Sequence, residues 1–407
     1  MPGLHIGIFL IENLFEKMTN KIALVTCYFI RNYGSQLQAL ATQIAVQKIG
    51  YECEHICIDG LLPEINDSRK KFFLRNFFNY SVWSDKVPAL KRMIFLKTIG
   101  RNHVKFLALR TKMFDHFSRE HFIISEKYEN KSRLTSAAHK YNAFIVGSDQ
   151  LWLPSNIAGD YYTLNFVPDD IKKISLATSF GVASLPKKEA KMANEFLNRI
   201  DYVSVREHSG KELIKQVAGR DVPVVCDPTL MLTAEDWEKL IPKECIENDK
   251  YIFCYLLGNH PEQRAFIKQI SKHIGFKIVQ IHSGNSFMFA EEGFADEQMF
   301  EAGPSEFLRM IRDAEYVFTD SFHCTVFSLQ FKKDFYVFRR FTTEGKTSTN
   351  GRIYSLLDVV SLQDRMLTGR EDVEKVLGAE IDYTAVHKAL ADFRQFTWNW
   401  LENALKS

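Results

Sequence analysis

No run in this chain reaches the eighteen or so consecutive apolar residues that a membrane-spanning helix needs. The apolar opening "MPGLHIGIFLIENLF" has no cationic leader and no small-residue cleavage site, and Glu12 interrupts it. It is therefore not expected to act as a signal peptide, and Met18 is a candidate start. The dinucleotide fingerprint GxGxxG is missing, which disfavours a plain nicotinamide or flavin enzyme. No set of carboxylates stands at metal-ligand spacing, so neither a metal nor a cofactor is expected. Cysteine is sparse and odd in number: seven residues, mostly inside apolar runs, which excludes a disulfide framework and points to buried free thiols in a reducing, cytoplasmic setting. Cys53 and Cys57 flank His55 on one strand-like run, whose alternating geometry does not converge on zinc.

Net charge is small as well, +2 over 407 residues, but it is unevenly spread. Residues 61–120 hold 13 Lys/Arg against 5 Asp/Glu, interleaved with aromatics in "RKKFFLRNFFNY" and "LKRMIFLKTIGRNHVKFLALRTKMFDHF". Two readings stand side by side. One is an amphipathic helical cap with a Phe stripe inward and a solvated basic face; the other is a surface for anionic phospholipid or a lipid-pyrophosphate acceptor at the inner face of the membrane. Nucleic acid is not an expected partner, because no recognition motif accompanies the charge.

What is present is alternation. Strand-like runs at 21–28, 53–59, 143–149, 173–180, 202–207 and 222–228 interleave with helical ones, among them 35–48, and a second series follows. It comprises strands at 251–258, 276–282, 316–320 and 334–339, helices near 261–274, 304–313 and 323–331, and a helical tail near 382–405. The expected fold is α/β: two Rossmann-like doubly wound domains facing a cleft, with a basic, aromatic helical insertion in the first. The expected boundaries are 20–230 (insertion about 61–141), 231–370, and a tail over 371–407.

Ligands of open α/β sheets bind beyond the carboxyl ends of the strands. That rule selects "NYGSQLQA" (32–39), "GSDQLW" (147–152), "TSFG" (178–181), "VREHSG" (205–210), "DPT" (227–229) and "TDSFHCT" (319–325), each directly after a predicted strand. Together with "STNGRIYSLLDVVSLQDR", in this order, they resemble the polysaccharide pyruvyl transferases, and the resemblance covers most of the chain. It implies a GT-B-like pair of domains. The implied reaction moves an enolpyruvyl unit from phosphoenolpyruvate onto a sugar of a surface glycan or its lipid-linked precursor, closing a pyruvate ketal and releasing phosphate. Two positions depart from the family's usual histidine motif: Cys324 stands where Gly is common, and Asp320-Ser321 where many members carry other residues, often including Arg.

Phosphoenolpyruvate brings a carboxylate, a phosphate and an electron-rich methylene, so its site needs cations, amide donors and a proton source. His323 is the expected donor, since an imidazole beside phosphate is easily held protonated, and the helix start it occupies offers free backbone amides to a bound anion. Its alternative is a structural histidine on a loop carbonyl. Arg206 is the expected anion fork, the alternative being a pairing with Glu207 or Asp227. Asn32, Gly34, Ser35 and Gln36 are candidate sugar or phosphate contacts. Asp149 is a candidate acceptor for the sugar hydroxyl's proton, or else a cap. Ser148 and Ser321 are assigned as substrate contacts, and Trp152 as a platform for a sugar face. Arg352 is the preferred further phosphate ligand over Lys346, Arg339 and Arg340. The rival functions are a nucleotide-sugar glycosyltransferase on the same scaffold and a non-catalytic partner in glycan assembly.

Overall fold

A computed structural model describes residues 20–76, 101–242, 250–281, 293–340 and 351–407. The N-terminal apolar opening, residues 77–100 of the basic insertion, Cys245 and Lys346 lie outside the described residues.

Two six-stranded, wholly parallel sheets carry the fold. The first contains β1 (Lys21–Val25), β2 (Glu52–Cys57), β3 (Ile124–Lys127), β4 (Ala143–Asp149), β5 (Lys172–Thr178) and β6 (Tyr202–Val205), in the order β3-β2-β1-β4-β5-β6. The second contains β7 (Tyr251–Tyr255), β8 (Lys277–Ile281), β9 (Glu297–Met299), β10 (Tyr316–Thr319), β11 (Asp334–Phe338) and β12 (Met366–Leu367), in the order β12-β11-β10-β7-β8-β9. Numbered from its own first strand, each sheet has the Rossmann order 3-2-1-4-5-6. The strand order therefore reverses direction between β1 and β4 in one sheet and between β7 and β10 in the other, which is where such folds open a crevice.

The helices that matter for the cleft are α1 (Tyr33–Ile49), α2 (Leu62–Arg75), α3 (Arg101–His121), α4 (His208–Ala218), α5 (Phe322–Gln330), α6 (Gly351–Val359) and α7 (Tyr383–Lys406). Asn32 caps α1, accepting from Ser35 N at 3.2 Å, and Gly50 ends it in the left-handed region (φ 107°). α1 is buried along most of its length because one continuous apolar core joins the inner faces of both sheets around it. Tyr33 carries this contact across, stacking on Phe307 at 4.7 Å and donating to Ala302 O at 2.9 Å. Two further cores cover the outer faces of the first and second sheets. α7 returns to the first sheet: Cys226 N donates to Thr397 Oγ1 at 3.0 Å, Trp398 Nε1 to Met231 O at 3.1 Å and Lys172 Nζ to Leu405 O at 3.1 Å.

Two expectations are corrected here. The stretch 222–228 is not a strand: only Val224 bridges, to Val205, because Pro223 and Pro228 break the ladder on either side. The insertion is not purely helical either, since β3 extends the first sheet beyond β2. Part of its positive charge is buried or paired within the protein. Arg110 is buried over Tyr33 and Phe114, Lys71 pairs with Asp67 at 2.7 Å, and Arg75 pairs with the buried Glu189. Among the described residues no helix is long and apolar enough to cross a membrane.

Candidate active site

The loops at the two reversal points meet across the cleft. Ser148 and Asp149 end β4, Arg206 and Glu207 follow β6, Asp227 lies beyond the Val224 bridge, and Asp320 to His323 follow β10. α6 adds Arg352.

Arg206 is the hub. Its side chain is 0% exposed; Nη1 donates to Asp227 Oδ2 at 2.7 Å, Nη2 to Asp149 Oδ1 at 3.0 Å, and Nε lies 3.7 Å from Glu207 Oε2. The guanidinium also sits 4.9 Å from the Phe322 ring. Two carboxylates are held directly by Nη1 and Nη2, the pairing alternative, while Nε is buried without a hydrogen-bond partner among the described residues.

Each carboxylate in turn is surrounded by donors. Asp227 accepts from Thr229 N at 3.0 Å and Thr229 Oγ1 at 2.7 Å through Oδ1. Ser148 Oγ lies 2.9 Å from both Asp227 Oδ2 and Ala177 O, one hydroxyl proton between two acceptors. Burial would raise the Asp227 carboxyl, but the neighbouring His323, Arg206 and Thr229 pull it well below the usual range. Asp149 sits at φ 76° and accepts from Ser35 Oγ at 2.8 Å. It is held down in the same way, burial being outweighed by Arg206, His323, Arg352 and Ser35. A carboxylate so stabilised is a weak proton acceptor. Glu207 goes the other way, burial outweighing the pull of Arg206 and raising its carboxyl.

His323 faces this cluster from the second sheet. Its Nε2 lies 3.8 Å from Asp227 Oδ2, an ion-pair distance too long for a hydrogen bond, and it is buried without a hydrogen-bond partner. The imidazole lies against Gly34: a Cβ at that position would stand 2.0 Å from Nδ1. Arg352 stands beside it, Nη1 3.8 Å from Asp149 Oδ1, the guanidinium 5.7 Å from the Phe322 ring, and Nε buried and unpartnered. Burial, then repulsion by Arg206, destabilises its charged form and lowers it to about 9. Arg340 donates to Asp320 O at 2.9 Å and also leaves its Nε buried without a partner.

The departures at 320–324 have structural roles. Asp320 accepts from Leu257 N at 2.8 Å and Gly258 N at 2.6 Å, tying the loop after β7 to the end of β10. Cys324 is fully buried on the core face of α5. Ser321 sits at the start of α5 with its backbone N–H bonded to Thr319 Oγ1 at 3.0 Å.

Two further candidates turn away. Gln36 donates to Tyr28 O at 3.1 Å and Ser118 Oγ at 2.8 Å, bracing α1 against α3. Trp152 is 0% exposed, packed on Phe180 and Phe196 and donating to Tyr162 O at 3.0 Å, so it offers no face to a sugar. Asn32 is spent as the α1 cap, whereas Gly34 and Ser35 belong to the site. Asp227 was visible in the sequence only as a conceivable partner of Arg206; the pattern "DPT" reads equally as the start of a short helix, which it also is. No group of three or more metal-ligating side chains occurs among the described residues.

Facing Rossmann-like sheets with a buried charge cluster between their reversal points define an enzyme of GT-B-like architecture. A family model for polysaccharide pyruvyl transferase matches residues 32–340, and the chain belongs to this family of enzymes, which transfer pyruvyl groups to polysaccharide. Among solved structures it is similar to the UDP-GlcNAc 2-epimerase of Methanocaldococcus jannaschii (12% identity, 90% of this chain and 91% of that chain, TM-score 0.46). It is also similar to E. coli heptosyltransferase WaaC with ADP (13%, 92% and 99%, TM-score 0.38) and to MurG of Acinetobacter baumannii (8%, 95% and 98%, TM-score 0.41). Comparison with curated proteins by sequence gives no match.

Proposed function

We propose that this enzyme takes its pyruvyl unit from phosphoenolpyruvate and places it as a cyclic ketal on a saccharide acceptor, with His323 as the proton donor. The observation that carries this reading is a set of buried nitrogens in one cluster without a hydrogen-bond partner among the described residues: His323 Nε2, Arg206 Nε, Arg352 Nε and Arg340 Nε. Each unmet buried donor costs about 1–3 kcal/mol, and an anion with carboxylate and phosphate oxygens would recover it.

In this reading the His323 imidazolium gives its proton to the methylene carbon of phosphoenolpyruvate, leaving the adjacent carbon electron-poor. A sugar hydroxyl oxygen bonds to that carbon and its proton passes to the imidazole, now neutral and placed to accept it. The C–O bond to phosphate then breaks and a second hydroxyl bonds to the carbon, its proton leaving with the departing phosphate, which completes the ketal. Asp149 and Asp227 stay ionised throughout: Asp227 keeps an anion 3.8 Å from His323 Nε2, and Asp149 holds Arg352 and Ser35 in place.

The test is phosphate release from phosphoenolpyruvate by the purified protein, dependent on a glycan acceptor that gains a carboxyethylidene group by mass spectrometry. Turnover of UDP- or GDP-sugars with no use of phosphoenolpyruvate would overturn it.

A further inference from the structure

Beside the charge cluster, a cavity of about 270 Å³ runs from Asp149 to Arg69 on α2. Its wall includes Tyr161 and Tyr162, which are 1% and 8% exposed. Neither hydroxyl makes a hydrogen bond among the described residues. Gln150, also in the wall, leaves its amide Nε2 buried and unpartnered. Arg69 packs its aliphatic stem on Gly159, whose added Cβ would meet Arg69 Cγ at 3.3 Å. Its guanidinium has no ion pair or hydrogen bond among the described residues, unlike Arg75 one and a half turns further along the same helix.

The geometry points to this cavity as the acceptor subsite, binding a saccharide that carries an anionic group, with Arg69 reading the anion and the Tyr161 and Tyr162 hydroxyls reading the ring. Aromatic walls with free hydroxyls and amides match the alternating apolar faces and hydroxyls of a sugar. A lone guanidinium at the far end matches a carboxylate or phosphate in its planar fork. The end at Asp149 and Cys27 would hold the reacting hydroxyls next to the neighbouring cluster. The inference rests on the pyruvyl-transfer reading of that cluster. The anion could be a carboxylate within the glycan or the phosphate of a carrier-linked sugar, and matched probes separate them.

Glucose, glucuronate and glucose 1-phosphate share one ring and differ in the group at C6 or C1, which is anionic in the last two. Titrated into the full-length protein with saturation-transfer NMR as readout, at least one of the two anions is expected to bind about tenfold or more tighter than glucose, the ratio a charge-assisted hydrogen bond supplies. The anion preferred names the source. Arg69→Gln should abolish that preference and leave glucose binding as it was; Tyr162→Phe, which keeps the ring in place, should weaken all three. Equal binding of the three probes, an anion preference that survives Arg69→Gln, or no binding of any probe would overturn the inference. Phosphoenolpyruvate is titrated into the same samples. If it binds and the sugars do not, the acceptor subsite fails alone; if the sugars bind and it does not, the donor reading fails and the subsite stands.

Discussion

Gly34 and His323 share one space across the cleft: α1 of the first sheet brings a residue without a Cβ to within van der Waals contact of the imidazole that begins α5. The requirement for glycine here is one of room, set by the partner ring. Gly34→Ala would drive a methyl to 2.0 Å from Nδ1, and the imidazole would have to move. A shift near 1 Å in a reacting group is enough for a loss of about 10²-fold. Gly34→Ala should therefore lower kcat by roughly that factor. In a His323→Ala background the same substitution should cost almost nothing further, because the clash is gone. Additive losses in the double variant would show that Gly34 acts elsewhere.

His323→Gln tests the proposed proton donor. Glutamine keeps a polar side chain of similar reach but cannot deliver a proton at neutral pH. Loss of a general acid is worth about 10²–10⁴-fold, so kcat should fall by that range while the KM for phosphoenolpyruvate stays within a few-fold. A variant retaining more than a tenth of the wild-type kcat would remove His323 from the chemistry.

Arg206 and Arg352 should part company on substitution, although both are buried arginines touching Asp149. Arg206→Ala strands the Asp149 and Asp227 carboxylates, and removing one partner from such a buried pair typically costs about 3–5 kcal/mol of stability. Among the described residues Arg352 has one long ion pair, to Asp149, a ring contact with Phe322 and an unmet Nε. Arg352→Gln should leave the urea midpoint close to wild type and raise the KM for phosphoenolpyruvate about tenfold or more. The opposite pattern, with Arg352→Gln unfolding the protein and Arg206→Ala sparing it, would reverse the two roles.

Much of the scaffold is written in local signals. The helices at Pro261–Ile274 and Pro304–Asp313 start at prolines ahead of helical apolar spacing, and the central strands are runs of β-branched and aromatic residues. What stayed hidden is short or polar: β9 and β12 span three and two residues, and β3 reads "ISEK", with no apolar alternation to reveal it. The site loops were legible because each follows a strand, but which side chain faces a ligand was not. Gln36 looked like a sugar contact because it lies in a stretch that follows a predicted strand and opens a helix. It is in fact enclosed between two sheets, where Gln36, Gln38 and Gln43 satisfy buried backbone groups. Arg206 looked free for an anion because its partners Asp149 and Asp227 are 57 and 21 residues away in sequence.

The carboxylate cluster also predicts how stability follows pH. Asp149 and Asp227 are both held below the ordinary value of 3.8 in the folded chain, burial being outweighed by Arg206, His323 and the hydroxyl donors around them. A carboxyl depressed on folding stabilises the native state fully above its unfolded value; that stabilisation is lost as pH falls through the folded one. Each should contribute on the order of 2–3 kcal/mol at neutral pH, fading from about pH 5 downward. Glu207 has the opposite sign: raised by burial, it favours the folded state most below about pH 4.5, and that advantage declines as pH rises through its folded value. Because two groups oppose one, the net slope below pH 5 should follow the aspartates. Urea unfolding at a series of pH values should show wild-type stability dropping steeply between about pH 5 and pH 2, and the drop should be shallower in Asp149→Asn, which has no proton to take up. Parallel curves for the two proteins would mean that Asp149 is not held ionised by its neighbours.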